Sequence, residues 1–212
     1  MRSEVARNAA LLETDPAGST PGGTPASDDR SIVVVPKGLR SFDQRDADFF
    51  LELLPGPRDR DGLPESLRFW KHRIEQTDGD ETFNVGLICG PSGCGKSSFV
   101  RAGLLPHLED AIVPVLVEAT LKGTEQRILK GIQQHVPDLP RTLGLIDAVT
   151  ALRRGEVLPA HKKLLIVLDQ FEQWLHTNVR SKNTELAEAL RQCDGGRVQC
   201  IGLIRHDFWL AL

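Results

Sequence analysis

A glycine-rich stretch at residues 87–100, LICGPSGCGKSSFV, contains the residue types that bind phosphate groups. Four of its residues fit the pattern G-x-x-x-x-G-K-[ST]: Gly90, Gly95, Lys96 and Ser97. The glycines permit backbone angles and close approaches that a Cβ would forbid, so that successive N–H groups can face phosphate oxygens. The lysine brings a positive charge to the β- and γ-phosphates, and the serine hydroxyl is a ligand for Mg²⁺. The stretch therefore predicts a nucleotide-binding loop.

We predict that the entire loop contacts the nucleotide, which we expect to be ATP or ADP together with Mg²⁺. The predicted contact residues are Gly90, Pro91, Ser92, Gly93, Cys94, Gly95, Lys96, Ser97 and Ser98. Cys94 lies near the predicted start of a helix, where a thiol can become reactive. The alternative interpretation of Cys94 is simply a small residue that the loop tolerates.

A second candidate site follows the apolar run LLIVLD. Asp169 ends this predicted strand at the carboxyl edge of a sheet, where it can hold Mg²⁺ across from Ser97. Glu172 lies three residues later and can orient or deprotonate an attacking water. Each acid also has a structural interpretation, Asp169 as a helix N-cap and Glu172 as an acid favoured in a helix first turn. Gln170 and Gln173 are weaker candidates.

The last predicted strand, 198–205, ends in Arg205 and is followed by His206 and Asp207. An arginine at this edge of a neighbouring strand can reach the γ-phosphate and report its presence. A local ion pair between Arg205 and Asp207 is the alternative, and the sequence leaves both open. We interpret His206 as structural or solvent-facing.

Alternating strands and helices must position these residues. Apolar runs predict strands at 83–90, 112–120, 162–169 and 198–205, the first of them at the buried centre of a sheet. Helical spacing predicts helices at 65–76, 96–108, 124–136, 145–155, 171–177 and 183–193. The alternation predicts an α/β fold, a three-layer sandwich with a mainly parallel central sheet.

Composition divides the chain into three predicted parts. Residues 1–36 are dense in Pro, Gly, Ser, Thr and Asp and are predicted to form a disordered tail. The apolar run SIVVV at 31–35 is a possible edge strand within that tail. Residues 37–82 form a segment leading into the nucleotide-binding core, which we assign to residues 83–212.

The overall composition excludes several classes of protein. With 212 residues and a net charge of −3, the chain has no electrostatic signature of a nucleic-acid partner. No apolar run reaches the ~18 residues that span a membrane, and the N-terminus lacks the apolar core of a signal peptide. The four cysteines show no C-x-x-C spacing, which argues against a disulfide framework or zinc site. We therefore expect a cytoplasmic protein with neither a nucleic-acid nor a membrane partner.

Three stretches, GPSGCGKSS, LLIVLDQFEQ and IGLIRHDF, together resemble the STAND class of P-loop ATPases, the signal-transduction ATPases with numerous domains. The opening GLRSFDQRDADFF at 38–50 resembles the segment that precedes the nucleotide domain in the novel STAND NTPases of bacteria. The resemblance implies a switch in which ATP binding and slow hydrolysis toggle an assembly or signalling state. Its implied partners are other protein domains or further copies of the chain.

The resemblance also implies roles for individual residues. The acid matching Asp169 coordinates Mg²⁺, the acid matching Glu172 activates water, and the arginine matching Arg205 acts as a sensor. These three are the expected catalytic residues. The segment before the first strand helps to hold the nucleobase in the family, which makes Phe42 and Phe49 candidates for that contact.

The sequence departs from the family pattern in two places. Relatives often continue the DADFF stretch with Gly-Arg and an acid, whereas this chain continues LELLPG. Relatives also extend past the fourth strand into a helical lid, a winged-helix region and often repeats or a kinase domain. We therefore expect a core that is incomplete at its C-terminus, either as a fragment of a larger regulatory protein or as a truncated gene product.

Other phosphate-loop proteins fit the sequence less well. An ABC transporter ATPase needs an L-S-G-G-Q signature and a D-E pair, but the chain has Asp169 followed by Gln170. A nucleotide kinase needs a second nucleotide site, for which residues 110–160 show no Arg and Tyr cluster. A GTPase needs an N-K-x-D base reader, and SKNTE is not one. The alternative from another class is a non-catalytic scaffold that uses the nucleotide for folding or assembly.

Overall fold

A computed structural model describes residues 41–79, 81–178, 181 and 183–209, and the statements below concern these residues. The predicted tail at 1–36, including its apolar run at 31–35, lies outside them. No helix of the described part is long and apolar enough to cross a membrane.

Four strands form one parallel sheet in the spatial order β1-β4-β3-β2. The strands are β1 (Val85–Gly90), β2 (Ile112–Glu118), β3 (Lys163–Asp169) and β4 (Val198–Arg205). The register aligns Gly90 with Arg205 and Glu118 with Asp169. The carboxyl ends of all four strands therefore meet at one edge of the sheet.

Eight helices are described. They are α1 (Ala47–Leu53), α2 (Glu65–Glu75), α3 (Lys96–Ser98), α4 (Thr124–His135), α5 (Leu145–Arg154), α6 (Glu172–Asn178), α7 (Glu185–Leu190) and α8 (His206–Trp209). A 3₁₀ turn at Gln44–Asp46 precedes α1, and α3 runs directly into a π-helical segment, Phe99–Leu104, and a 3₁₀ turn, Leu105–His107. The helix predicted at 96–108 is therefore present as a helical segment of mixed type.

Side chains of β3 alternate between two apolar layers, because successive residues of a strand point to opposite faces. Leu164, Ile166 and Leu168 pack with α4, α5, α6 and α7. Leu165 and Val167 pack with α2 and the π-helical segment. Each of the five is at most 2% exposed. Helices thus cover both faces of the sheet, and the predicted three-layer α/β fold with a parallel sheet is confirmed.

The position of β1 corrects one prediction. Its apolar run predicts the buried centre of the sheet, yet among the described strands β1 pairs only with β4. Val85 and Leu87 are 41% and 37% exposed. An apolar run indicates that a strand is present, but the strand order that sets its number of neighbours is a property of the whole chain.

The described part of the N-terminal segment packs against the helical segment that follows the loop. The Phe42 N–H donates to Ser98 Oγ at 3.0 Å. At Gly103, a Cβ would lie 3.1 Å from both Leu67 and Phe50. The absence of a side chain there lets α1 and α2 approach the π-helical segment closely. These contacts hold the part of the chain that contains α1 and α2 against the helical segment that follows the loop.

Lys163 is buried at the amino end of β3, with an exposed fraction of 3%. Its Nζ donates to the Ile74 carbonyl at 2.7 Å and also to the Gln76 carbonyl, at the C-terminal end of α2. A cation is favoured there by the helix dipole. Burial nevertheless lowers the pKa of Lys163 from 10.5 to about 8. The negative charges of Asp194 and Glu75 raise this pKa, but by less than burial lowers it.

We expect the free energy of unfolding to rise between pH 8 and 10.5 in the wild type relative to a Lys163→Met variant. The folded protein loses the lysine proton near the lower pH, while the unfolded chain keeps it to the higher one. The unfolded state therefore binds more protons in this window, and stability increases with pH by up to about 3 kcal/mol. Urea denaturation of both proteins across the window measures this difference. A difference that does not change with pH would contradict the prediction.

Candidate nucleotide-binding site

Glycines shape the loop between β1 and α3. Gly93 and Gly95 have φ angles of 78° and 88°, in the left-handed region that favours glycine. At Gly90, a Cβ would lie 2.7 Å from Cys94 Sγ, so a larger residue would force the loop to shift. Backbone in such conformations forms concave surfaces of N–H groups that bind anions. The loop is therefore a cradle that only glycines at these positions allow.

Lys96 lies across this cradle. Its Nζ donates to the carbonyl oxygens of Gly90 and Pro91, both at 2.8 Å, and lies 3.8 Å from Cys94 Sγ. Main-chain acceptors thus hold a positive charge within the loop itself. A positive charge beside glycine-shaped backbone fits a phosphate group.

Ser97, Asp169 and Arg101 form a hydrogen-bonded cluster at the carboxyl edge of the sheet. Ser97 Oγ donates to Asp169 Oδ1 at 2.8 Å, and Arg101 Nη2 donates to Asp169 Oδ2 at 3.0 Å. Asp169 is only 4% exposed, so both of its oxygens are engaged inside the protein. Arg101 was not among the residues predicted from the sequence. Its spacing of four residues from Ser97, about one helical turn, is the signal that could have indicated it.

The donor atoms of this cluster fit a magnesium ion. Mg²⁺ prefers oxygen ligands and is usually held by one or two carboxylates, several waters and the phosphates of a substrate. Ser97 supplies a hydroxyl oxygen and Asp169 supplies a carboxylate oxygen. Residues of this chemistry suit a metal that arrives with a nucleotide.

Glu172 is the first residue of α6. Its Oε2 is buried and has no hydrogen-bond partner among the described residues. An unpaired buried carboxylate oxygen is costly, and in native proteins such atoms commonly face a ligand, ion or water. The oxygen is therefore a candidate for contact with a reacting molecule.

Gln170 lies between Asp169 and Glu172 in the chain, and its backbone is strained. Its φ of 54° lies in the left-handed region, which is unusual for a residue other than glycine. Its Nε2 donates to Glu118 Oε1 at 2.8 Å, at the end of β2. Strain of this kind is found at functional sites, and here it directs the chain from Asp169 into α6.

Arg205 lies at the end of β4. Its Nε and Nη2 donate to the two carboxylate oxygens of Asp207 at 3.1 Å and 2.5 Å, so the local ion pair is present. Asp207 raises the pKa of the Arg205 guanidinium, and Glu172 adds a smaller effect in the same direction. Arg205 ends β4, which is the neighbour of the strand β3 that leads to Glu172, while His206 is exposed.

A cleft of about 430 Å³ adjoins the loop. It is lined mainly by apolar side chains, with loop residues at one side: Phe50, Leu53, Leu54, Pro55, Trp70, Ile88, Cys89, Cys94, Gly95, Lys96 and Phe99. The two predicted base contacts are not among the lining residues. The Phe42 ring packs against both Phe49 and Phe50, with its centroid 5.9 Å and 5.6 Å from theirs. Phe50, one residue further along α1, lines the cleft instead.

The other predicted residues differ in their surroundings. Ser98 is 7% exposed, and its hydroxyl accepts the hydrogen bond from Phe42 rather than facing solvent. Four further loop residues are exposed: Pro91, Ser92, Gly93 and Cys94. Gln173 is also exposed, on α6. The structure thus brings Lys96, the Ser97–Asp169 pair, Glu172 and Arg205 to one edge of the sheet.

A parallel sheet between two helix layers, with this loop after its first strand, is the architecture of a P-loop NTPase. The likeness extends beyond the loop. The family model described as Novel STAND NTPase 1 matches residues 37–212, and the chain belongs to that family. It is therefore a nucleotide-binding NTPase domain of the STAND type.

Three solved structures are similar to the chain at low identity. A Walker-type ATPase of Pyrococcus abyssi is 19% identical, with 74% of this chain and 51% of that chain covered and a TM-score of 0.46. The Drosophila ORC bound to DNA is 13% identical (91% and 48% covered, TM-score 0.44), and C. elegans PCH-2 is 15% identical (79% and 39%, TM-score 0.37). The chain spans about half or less of these proteins. No curated protein matches it significantly.

Proposed function

We propose that the chain binds Mg-ATP and hydrolyses it slowly, as the nucleotide switch of a larger regulatory protein. The observation that carries this proposal is the buried Oε2 of Glu172, which has no hydrogen-bond partner among the described residues and lies three residues beyond Asp169. An acid that served only to stabilise the first turn of α6 would not need a buried oxygen without a partner. A carboxylate oxygen held in this way suits contact with an attacking water.

The loop residues hold the phosphates in this proposal. Backbone from Gly90 to Ser98 surrounds them, and Lys96 places its charge on the β- and γ-phosphates. Ser97 and Asp169 hold Mg²⁺, which when bound neutralises phosphate charge and favours displacement at the γ-phosphorus. The contacts of Lys96 with the main chain support this assignment, since they keep its ammonium within the cradle.

Glu172 acts as the general base. Its carboxylate accepts a proton from water while the water oxygen forms a bond to the γ-phosphorus. The bond between that phosphorus and the β–γ bridging oxygen breaks, its electron pair stays on ADP, and inorganic phosphate leaves. In this proposal the Arg205 guanidinium leaves its exposed partner Asp207 to reach the γ-phosphate.

The apolar cleft beside the loop is the proposed site of the nucleobase. It shares Cys94, Gly95 and Lys96 with the loop, and its lining also includes Phe50 and Trp70. Aromatic and aliphatic walls favour the flat face of a base. The base is therefore held mainly by apolar contact.

The sensor role of Arg205 predicts that Arg205→Ala lowers the preference for ATP over ADP. Loss of one charged contact with the γ-phosphate should reduce the ratio of the two affinities by about tenfold. Calorimetric titration of both proteins with each nucleotide measures this ratio. Asp207→Asn is the matched control, because it frees the guanidinium and should keep the preference. An unchanged ratio in Arg205→Ala would reject the sensor role.

The proposal differs from a non-catalytic scaffold in one measurable way. Single-turnover hydrolysis with the chain in excess over labelled ATP detects even slow phosphate release. Release by the wild type supports the switch, in which ATP and ADP forms are recognised differently by other domains or by further copies of the chain. Tight ATP binding with no release would favour the scaffold instead.

A further inference from the structure

Arg101 contacts Asp169 in a way that the proposed reaction does not use. Its Nη2 lies 3.0 Å from Asp169 Oδ2, and the two side chains are 32% and 6% exposed. Ion pairs shielded from water interact more strongly than those on the surface. The pair is therefore a defined part of the site.

Arg101 and Ser97 approach Asp169 from one helical segment. Ser97 binds Oδ1 and Arg101 binds Oδ2, so each carboxylate oxygen has a donor from the protein. Arg101 belongs to the π-helical segment Phe99–Leu104, and such segments are frequent at functional sites. The helical segment thus brings a cation to the acid expected to hold the metal.

The contact does not satisfy Arg101 completely. Its Nε is buried without a hydrogen-bond partner among the described residues. A buried N–H without a partner is costly, so the guanidinium is less firmly fixed than one with all of its donors bonded. Arg101 can therefore yield when a more strongly bound cation reaches Asp169.

We propose that Arg101 is a positioning residue that opposes metal binding at Asp169 until a nucleotide is present. The proposal rests on the proposed function, because it takes Ser97 and Asp169 as the metal ligands. Without nucleotide, the guanidinium neutralises Asp169 and repels a divalent cation. The phosphates of a nucleotide add negative charge that offsets this repulsion. Metal and nucleotide therefore bind together, and the metal alone binds weakly.

The test measures Mn²⁺ binding to the full chain, because electron paramagnetic resonance distinguishes free from bound Mn²⁺. Without nucleotide, we expect Arg101→Met to bind Mn²⁺ at least about tenfold more tightly than the wild type, since the variant removes the charge and keeps the aliphatic stem. Arg101→Lys keeps the charge and should resemble the wild type. Arg101→Gln is a second uncharged variant. Adding Asp169→Asn to Arg101→Met should abolish the gain.

Two outcomes would overturn the proposal. The first is equal Mn²⁺ affinity of the wild type and the uncharged variants, with thermal unfolding showing that all are folded. The second is a gain that survives Asp169→Asn, because the metal would then lie elsewhere. If ATP fails to recruit Mn²⁺ to the wild type, the proposed function itself fails and this proposal with it, so the two kinds of failure are distinguishable.

Discussion

The Lys96→Ala variant is expected to lose at least about 100-fold in affinity for Mg-ATP, because charge-assisted hydrogen bonds to phosphate contribute roughly 1.5–3 kcal/mol each. The same ammonium now donates to the carbonyls of Gly90 and Pro91 at 2.8 Å. Its removal therefore takes away both the charge and the bonds that hold the loop around it. Both effects weaken binding, and isothermal titration calorimetry with ATP and Mg²⁺ measures their sum.

A matched control separates this effect from a general loss of lysine charge. Lys130 is exposed on α4, on the opposite face of the sheet from α3, and Lys130→Ala should bind Mg-ATP as the wild type does. Urea denaturation of both variants establishes that each is folded. Unchanged affinity in Lys96→Ala would contradict the assignment of the loop.

Strands were predictable because each is a local apolar run. The strand predicted at 198–205 has these bounds in the structure, and the one predicted at 162–169 is shortened by a single residue. Burial on both faces of a parallel sheet leaves little room for polar residues, so such strands stand out from their surroundings. The apolar run of β1 predicted the centre of the sheet, but the order of the strands depends on the whole chain and could not be predicted.

The first and last residues of the helices depend on local contacts that the hydrophobic periodicity of the sequence does not reveal. A helix predicted from residue 183 begins instead at Glu185, because Thr184 has extended backbone and its hydroxyl accepts the Ala187 N–H. The helical character of residues 96–108 was predictable, but the π-helical segment within it was not. The pattern of apolar residues does not indicate which backbone N–H bonds to which carbonyl.

In the candidate site, too, local features could be predicted and features that depend on packing could not. The loop and Asp169 were predictable because their residue types and spacing lie within a short stretch each. Arg101 and the apolar cleft were missed, because each depends on how separate segments pack. Phe49, a candidate for the base contact, does not line the cleft, whereas Phe50 does, because neighbouring residues of a helix lie on different faces.

Replacement of Glu172 by Gln is expected to preserve Mg-ATP binding and to slow hydrolysis about 100-fold or more, the effect typical of removing a general base. Gln has nearly the same shape, so the first turn of α6 keeps its packing. It cannot accept a proton from water, which removes only the step assigned to the carboxylate. Calorimetry measures ATP binding, and single-turnover phosphate release measures hydrolysis.

Glu156→Gln is the matched control for the loss of an acid. Glu156 is 54% exposed and follows Gly155, which lies against Arg197 at the amino end of β4, away from the loop. This variant should hydrolyse ATP at the wild-type rate. Equal rates in Glu172→Gln and the wild type would assign Glu172 to a helix-stabilising role. Retained binding with lost turnover would instead identify a group that acts in the transition state and not in the bound ground state.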